Sequence, residues 1–413
     1  MKEHEVDNIV KLPNNVNVLK TAVVYGSNAS GKSNFVTAFL FFKKFVFNSF
    51  RDALLSEEEE DKTSIPVNRF FLNSYSVEDS SEFEITFKKG SYIYRYGFEV
   101  NEEIVISEWL FRTSKRETLL FERNKQNFEF NKSVYREHES LKFQIPDNVL
   151  ALSATSHLNN KESRKVVDWL SNLNGISGIQ DKVYKKFTVS LFQKNEYFRK
   201  WAKQFVDFLE ISNITAEDVE LKFERSKDGS VSAITAELET SSISKKKKTP
   251  ELFSWHRQYD ENGLFVDTIP FIFEHMESEG TKKLVYLLGP WFDTLINGKV
   301  LIVDELDSRL HPLLTRKLIE FFHQTNKKNA QLVFASHDTN LLHNSCFRRD
   351  QIWFVEKNQF GVSKLYSLAD FKSSQVRPDS SYERNYIKGK YGGIPLFSEN
   401  FIDELNSLWD AKA

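Results

Sequence analysis

The sequence predicts an α/β fold with a mostly parallel core sheet, accompanied by an antiparallel β lobe and a helical insertion. Three observations support this fold class. Near the start, an apolar run leads through a glycine-containing turn into a helical pattern. Between residues 81 and 100, aromatic and polar residues alternate, which is typical of an antiparallel hairpin. After residue 278, apolar strands alternate with helical patterns, and this alternation predicts parallel strands joined by crossover helices.

The first element is a strand, a turn and a helix that together have the form of a phosphate-binding loop. Residues 21–25 are apolar and β-rich, and residues 35–45 have a helical pattern. Between them, GSNASGKS fits G-x-x-x-x-G-K-[ST], in which backbone N–H groups at a helix N-terminus can hold an anion. Lys32 is expected to reach the β- and γ-phosphates, and Ser33 to place its hydroxyl on Mg²⁺. The predicted phosphate-binding residues are Gly26, Ser27, Asn28, Ala29, Ser30, Gly31, Lys32, Ser33 and Asn34.

The following stretch predicts the antiparallel lobe and then helices. In SEFEITFKKGSYIYRYGFEV, apolar and polar residues alternate on both sides of a Lys89-Gly90 turn. We therefore expect a hairpin whose aromatic face packs within a sheet, in preference to a platform for stacking bases. EWLFRT and ETLLFERNKQNFEF predict further strands. From about 161 to 210, apolar residues recur at three- and four-residue steps, which indicates helices.

Asp304 and Glu305 follow an apolar strand in the last third of the chain. Because four apolar residues bury the strand of KVLIVDE, the two carboxylates are expected at its carboxyl end, where sites lie in parallel sheets. Asp304 can bind Mg²⁺ through its water shell, and Glu305 can polarise an attacking water. The strand therefore supplies the groups that a phosphate loop needs for hydrolysis.

Two further stretches offer groups to an anion. SEGT at 278–281 opens a helix, where exposed N–H groups and the Ser278 hydroxyl form a second anion site. His337 ends the strand of AQLVFASHD, from which its imidazole can reach a γ-phosphate. Leu306, Asp307 and Ser308 make a short turn after the acidic pair. Each feature is ordinary alone, but in this order they form an uncommon arrangement.

Length and composition exclude several classes of protein. The 413 residues include 56 basic and 58 acidic ones, and the formal net charge of −2 provides no global field for DNA or for an anionic membrane. The single cysteine, Cys346, excludes a disulfide framework and a cysteine-rich zinc site. Apolar runs are short and interrupted by lysines, and the first residues lack the apolar core of a signal peptide. We expect a cytoplasmic protein that makes no membrane contact.

The order of the motifs resembles the head of ABC-type ATPases, as in SMC and RecF proteins and the overcoming lysogenisation defect (OLD) family. The resemblance is carried by GSNASGKSN, SEGT, VLIVDE, LDS and SHD, at the positions of the Walker A, signature, Walker B, D-loop and switch-histidine motifs. It implies an ABC/SMC-type P-loop ATPase head that binds ATP and Mg²⁺ and works as a homodimer or a higher even oligomer.

In such a dimer, ATP lies between two heads, and each head supplies different groups. The resemblance implies the catalytic residues Lys32, Glu305 and His337 and the metal ligands Ser33 and Asp304. The partner head supplies Ser278 and Gly280 to the same nucleotide, and Asp307 is a further nucleotide contact. Along the chain, it implies a P-loop and antiparallel β lobe at 1–160, a mainly helical insertion at 161–250, and a lobe at 251–413 that completes the ATPase core.

A finer resemblance covers nearly the whole chain. IYRYGFEV, SEGTKKL, VDELDSRLHPLLTRKLIEFF, RRDQIWFVEK, LYSLADF and YIKGKYGGIP are similar to the RloA and AbiLii type of abortive-infection ATPases of prokaryotic defence loci. This resemblance implies a subunit whose nucleotide state gates a separate effector, with a TOPRIM nuclease-like protein as the expected partner.

The sequence departs from this family pattern at two places. Relatives usually begin with a further strand, reading roughly FxVENFRSF, ahead of the phosphate loop, whereas this chain starts downstream of it with MKEHEVDN. This departure predicts either a start that is truncated or misassigned, or a weaker affinity for nucleotide. The second departure concerns the glutamine that links the two lobes in relatives. LSATSHLNN at 152–160 stands where this glutamine is expected, but it contains His157 and no Gln. Gln144 is a weak alternative, and the role is left unassigned.

Three other functions are less favoured. A RecF- or SMC-like ATPase that clamps DNA during repair or recombination is the main alternative, although the balanced charge and the lack of a long coiled coil do not indicate DNA binding. A GTPase switch predicts N-K-x-D, and TNKKNA at 325–330 has no Asp at the required place. About 75 residues follow SHD, too few for a fused TOPRIM nuclease domain.

Overall fold

The computed structural model describes residues 8–12, 16–55, 64–72, 80–136, 144–219, 223–225, 231–233, 249–372, 376, 381–395, 402 and 406–407. The strands are β1 (Ile9–Lys11), β2 (Asn17–Leu19), β3 (Thr21–Gly26), β4 (Ser81–Lys89), β5 (Tyr92–Val100), β6 (Val105–Thr113), β7 (Glu117–Asn124), β8 (Asn127–Phe130), β9 (Leu173–Ser177), β10 (Asn213–Val219), β11 (Phe223–Arg225), β12 (Val231–Ala233), β13 (Thr249–Tyr259), β14 (Phe265–Ile272), β15 (Val300–Asp304), β16 (Gln331–Ala335), β17 (Ile352–Lys357) and β18 (Ser363–Ser367). The α-helices are α1 (Lys32–Leu55), α2 (Lys132–Tyr135), α3 (Ala151–His157), α4 (Lys161–Ser171), α5 (Lys182–Lys194), α6 (Glu196–Val206), α7 (Phe273–Met276), α8 (Glu279–Asn297), α9 (Pro312–Thr325) and α10 (Tyr382–Ile387).

The largest sheet has six strands in the order β18-β17-β3-β16-β15-β9. Strands β15 and β16 are parallel, with Leu301 opposite Leu332, whereas β17 and β18 are antiparallel. A separate five-stranded sheet has the order β4-β5-β6-β7-β8 and is antiparallel throughout. The mixed sheet, the separate antiparallel sheet and the helices confirm the predicted α/β fold class.

The chain forms two compact units, and each is discontinuous in sequence. The first unit comprises Met1–Val23, Ile176–Ile352 and Arg377–Glu383. The second comprises Val24–Gly175, Trp353–Val376 and Arg384–Ala413. The boundaries at 160 and 250 expected from the sequence stay a prediction.

In the second unit, the antiparallel sheet packs against helix α1 through aromatic side chains. The ring of Phe42 on α1 stacks on Phe98 of β5 with centroids 5.0 Å apart. Tyr94, Tyr96 and Phe98 are all 0% exposed, so the aromatic face is a packed sheet face, as predicted. Full burial of one such side chain contributes about 1.5–3 kcal/mol, and this face therefore holds α1 and its N-terminal turn in place.

A buried acid and base join the antiparallel sheet to helix α3. Glu108 accepts hydrogen bonds from the amides of Ala151 and Leu152, at 2.6 and 2.9 Å, where α3 begins. Arg123 donates to main-chain carbonyls of residues 146–149, and both charged residues are 0% exposed. Burial raises the pKa of Glu108, whereas Arg123 and the two amides act against this shift. A carboxylate at a helix N-terminus is also favoured by the helix dipole.

In the first unit, helix α8 is the central buried element. It begins after the N-cap Ser278, whose Oγ accepts a hydrogen bond from the amide of Thr281 at 3.1 Å. It ends at Gly298, which adopts a left-handed φ of 64° that glycine tolerates well. Between these ends, Trp291 packs edge-on against Phe322 of α9, with ring centroids 5.6 Å apart. The position of Ser278 is therefore fixed by the packing of the whole helix.

Most of the predicted local elements are confirmed. They are the strand, turn and helix at β3 and α1, the hairpin of β4 and β5, and the later elements α8, β15, α9, β16 and β17. Strand β9 lies within a stretch for which the pattern indicated only helices. Among the described helices, none is both long and apolar enough to span a membrane.

Candidate functional site

The predicted phosphate loop lies in the second unit, between β3 and α1. Gly26 ends the strand, residues 27–31 form the turn, and Lys32, Ser33 and Asn34 begin the helix. Ser33 and Asn34 are exposed, as are Asn28 and Ala29 in the turn. The first N–H groups of an α-helix are not used by the helix itself, and at an exposed helix start they can bind phosphate.

Two glycines let the loop lie close to the neighbouring strands. A Cβ on Gly26 would be 2.5 Å from the carbonyl oxygen of Val355 on β17 and 2.5 Å from Ser30 Oγ. Gly31 has a φ of 111°, and a Cβ there would be 2.9 Å from Ser363 Oγ on β18. Ser363 also donates a hydrogen bond to the carbonyl of Ser30 at 2.7 Å. The loop is therefore held from outside by β17 and β18.

The side chain of Lys32 folds back and bonds to the phosphate loop itself. Its residue is only 6% exposed, and Nζ donates to the carbonyls of Gly26 and Ser27 at 2.8 and 2.9 Å. The ammonium group is thus placed among the loop's own oxygens, where a phosphate can compete for its N–H groups. Ser30 Oγ is buried and has no hydrogen-bond partner within the part of the chain that the structure describes.

The acidic pair lies in the first unit, at the carboxyl end of β15. Leu301, Ile302 and Val303 are 0% exposed, and Asp304 and Glu305 are half-buried beyond them. The strand is therefore buried up to the point where the carboxylates emerge, as the sequence predicts.

The Glu305 main chain adopts an unusual conformation. Its φ is 52°, in the left-handed region that costs a non-glycine residue about 1–2 kcal/mol. Its carbonyl accepts hydrogen bonds from the amide of Ser308 at 3.2 Å and from Nζ of Lys283 at 3.0 Å. A strained backbone of this kind persists only where several contacts fix it, and such positions concentrate at functional sites.

Lys283 is a buried charged residue beside the acidic pair that the sequence motifs do not indicate. It lies on α8, is 0% exposed, and donates to Ser308 as well as to Glu305. A signal was present, because residues 283, 287 and 291 share one helical face, and Leu287 and Trp291 are core residues. That periodicity places Lys283 among buried positions despite its charge.

The remaining predicted residues of the first unit lie near the same loop. Asp307 accepts hydrogen bonds from the amide of His337 at 3.3 and 3.2 Å, so the turn after the acidic pair holds the backbone of the switch-histidine position. The His337 residue is exposed. Gly280, the second residue of α8, lies close enough that a Cβ would be 2.7 Å from the carbonyl oxygen of Arg309. Ser278 is an exposed N-cap.

The residues of the first unit fit a magnesium ion of the kind that ATP carries. Asp304 Oδ1 is buried and has no hydrogen-bond partner among the described residues, as expected of an oxygen reserved for a cation or its water shell. No group of three or more His, Cys, Asp or Glu side chains in the described ranges is placed to hold a metal. Mg²⁺ commonly uses one or two carboxylates together with substrate phosphates, so a single Asp is compatible with it.

The family of the chain is shown by a match to a known family model. A family model described as "AAA domain, putative AbiEii toxin, Type IV TA system" matches residues 22–343. The chain belongs to this family. The match spans the phosphate loop, the α8 start, the acidic pair and His337, which confirms the coarser prediction of an AAA-type ATPase family. No curated protein matches the sequence.

Solved structures of SMC heads are similar at low scores. The SMC head domain from Thermotoga maritima has 12% identity and a TM-score of 0.33, covering 87% of this chain and 95% of that chain. The SmcHead bound to the C-winged helix domain of ScpA has 14% identity, a TM-score of 0.33 and the same coverage. An Smc head domain bound to the C-terminal domain of ScpA derived from Pyrococcus furiosus has 13% identity and a TM-score of 0.27, covering 87% and 94%. Similarity at this level says nothing about the partners of this chain.

Proposed function

We propose that this AAA family member binds and hydrolyses ATP as a subunit of a prokaryotic anti-phage system of the abortive-infection type. The observation that carries the proposal is the phosphate loop, which is closed around Lys32 from within and held by β17 and β18 from outside. Such a preformed cradle of N–H groups and one ammonium group suits a triphosphate.

Each predicted residue then has a distinct task. The N–H groups at the α1 start and Lys32 would hold the phosphate oxygens, and Ser33 and Asp304 are the residues that would hold a magnesium ion. The ion, when bound, neutralises charge on the phosphate oxygens. Glu305 accepts a proton from the attacking water, and His337 donates a hydrogen bond to the terminal phosphate.

Hydrolysis is proposed to require two copies of the chain. Ser278 is exposed at the start of α8, and Gly280 follows it in the first turn, so this helix end can offer a hydroxyl and N–H groups to the nucleotide of a second copy. Asp307 lies in the turn that follows Glu305 and is the further residue proposed to contact the nucleotide. ATP binding would thereby join the heads, and hydrolysis would separate them.

The dimer is proposed to gate a separate effector with a TOPRIM nuclease-like fold. Support comes from the family, whose description names an AbiEii toxin and a type IV toxin–antitoxin system, and from the RloA- and AbiLii-like sequence stretches. DNA-stimulated ATP hydrolysis in the absence of an effector would favour the RecF- and SMC-like alternative instead.

Glu305→Gln tests the proposal. The variant should bind ATP with wild-type affinity and hydrolyse it about 10²- to 10⁴-fold more slowly, because the general base is lost. It should also form a stable dimer with ATP, measured by light scattering. Glu261→Gln, on the exposed β13–β14 turn, is the matched control. Unaltered hydrolysis by Glu305→Gln would remove Glu305 from the reaction.

A further inference from the structure

Lys283 joins helix α8 to the loop that carries the acidic pair. Its Nζ donates to the carbonyl of Glu305 at 3.0 Å and to Ser308 Oγ at 3.0 Å, and it also donates to the Ser308 carbonyl at 2.6 Å. The residue is 0% exposed, so no water replaces these bonds if they are lost. A buried ammonium group with three main-chain and hydroxyl acceptors is a strong local constraint.

The loop that Lys283 holds is strained at two positions. Glu305 has a φ of 52° and Arg309 a φ of 60°. Two other contacts also fix the loop: the amide of Gly178 donates to the Asp304 carbonyl at 2.6 Å, and Ser308 Oγ donates to the Gly178 carbonyl at 3.2 Å. Lys283 thus completes a set of bonds around a conformation that the chain does not favour by itself.

The same helix presents Ser278 to solvent. Its first turn also contacts the strained loop, because Glu279 pairs with Arg309 at 3.3 Å and Gly280 lies against the Arg309 carbonyl. Ser278 and Lys283 are separated by little more than one rigid turn. Lys283 therefore links the start of this helix to the Glu305 backbone.

We propose that Lys283 is a positioning residue that couples the α8 start, offered to the nucleotide of one site, to Glu305, which acts at the other site of the same dimer. This inference rests on the proposed function and deepens it, because it makes the two ATP sites interdependent within each copy. Without Lys283, the loop is expected to relax toward ordinary backbone angles and to turn the Glu305 carboxylate away from its productive direction.

The charges around Lys283 make this coupling sensitive to pH. Burial lowers the pKa of Lys283 to about 8, while Asp307, Glu305 and Asp181 favour its charged form and Arg309 disfavours it. When the proton leaves, Nζ keeps two N–H groups for three acceptors, and one bond is lost. ATP turnover should therefore fall as the pH rises through about 8.

Lys283→Met and Lys283→Arg test the inference. The control is Lys299→Met, which removes an ion pair to Asp293; Lys299 directly precedes β15, at the end of the strand opposite to the acidic pair. In Lys283→Met, kcat should fall about ten- to a hundredfold with little change in ATP affinity, because a misplaced group affects the reaction more than binding. In Lys283→Arg, turnover should be largely restored and the decline near pH 8 should be absent, since arginine does not titrate there.

Amide hydrogen exchange supplies a readout that needs no nucleotide. The amides of Ser308 and Leu310, which bond within the loop, should exchange faster in Lys283→Met than in the wild type or in Lys299→Met. If Lys283→Met unfolds, Ser308→Ala, which removes one acceptor of Lys283 together with the bond to the Gly178 carbonyl, should give a smaller loss of kcat and faster exchange at Leu310.

The outcomes separate this inference from the proposed function. If the wild type hydrolyses ATP in a Glu305-dependent manner, and Lys283→Met keeps its kcat, its pH profile and its loop exchange, the coupling is overturned and the ATPase stands. If the wild type does not hydrolyse ATP, the proposed function fails, and the exchange measurement still shows whether Lys283 holds the loop.

Discussion

Gly26→Ala should weaken nucleotide binding without unfolding the protein. The new Cβ would lie 2.5 Å from the backbone oxygen of Val355, whereas real Cβ contacts essentially never fall below 3.0 Å. Either the loop or β17 must move by about half an ångström, and overpacking of this kind typically costs about 1–3 kcal/mol. If the cost falls on the phosphate-binding conformation, affinity for ATP should drop about 5- to 150-fold.

Isothermal titration with ATP and Mg²⁺ measures the effect, together with thermal unfolding. Gly90→Ala is the matched control, because Gly90 has a φ of 62° and nothing within 4 Å of its Cβ position. That variant carries about 1–2 kcal/mol of backbone strain in a distant turn and should bind ATP normally. Wild-type ATP affinity in Gly26→Ala would refute the claim that β17 shapes the phosphate loop.

Two further predictions concern buried charges. Glu108→Gln should lower the free energy of unfolding by about 3–5 kcal/mol in denaturant titrations, because it removes the carboxylate that faces the buried Arg123 charge and turns an amide NH₂ toward the donors at the α3 start. The exposed substitution Glu103→Gln should have almost no effect. Equal stabilities would contradict the assigned network. The pKa of Lys283 falls from 10.5 to about 8 on folding, so the unfolded chain binds more protons than the folded chain between these pH values. The free energy of unfolding of the wild type, relative to that of Lys283→Met, should therefore rise by up to about 3 kcal/mol from pH 8 to 10.5. A difference that stays flat over this range would exclude the buried charge.

The parts of the fold that the sequence predicted are those that local pattern determines. The strand, glycines, lysine and helix around residues 21–45 follow one another directly, so the phosphate loop is visible without tertiary information. The β4–β5 hairpin was predictable for the same reason, since the alternation of apolar and polar residues and a Lys-Gly turn set its register. The strand before Asp304 was predictable because it is apolar along its whole length.

The missed features depend on contacts between distant residues. Strand β9 is short, contains Gly175 and lies between helices, and only pairing in the large sheet makes it a strand. A Cβ on Gly393 would lie 3.7 Å from the Gly26 Cα, so the fold brings together residues more than 360 positions apart. Lys283 and Glu108 are charged residues whose hydrogen-bond acceptors and donors lie on other elements, so their roles are not visible in the sequence around them.

Mixing two inactive variants tests the central claim of shared ATP sites most directly. Lys32→Ala removes the phosphate-binding ammonium group, and Ser278→Asp keeps a good helix cap while placing a negative charge toward the partner's phosphates. If the sites are composite, each mixed dimer retains one intact site of two, and an equal mixture should recover measurable turnover of at most about a quarter of the wild-type value, and less if Lys283 couples the two sites. Ser278→Asn, an uncharged cap, is the control for the helix start. A mixture as inactive as its components, with mixed dimers shown by native mass spectrometry, would contradict the claim.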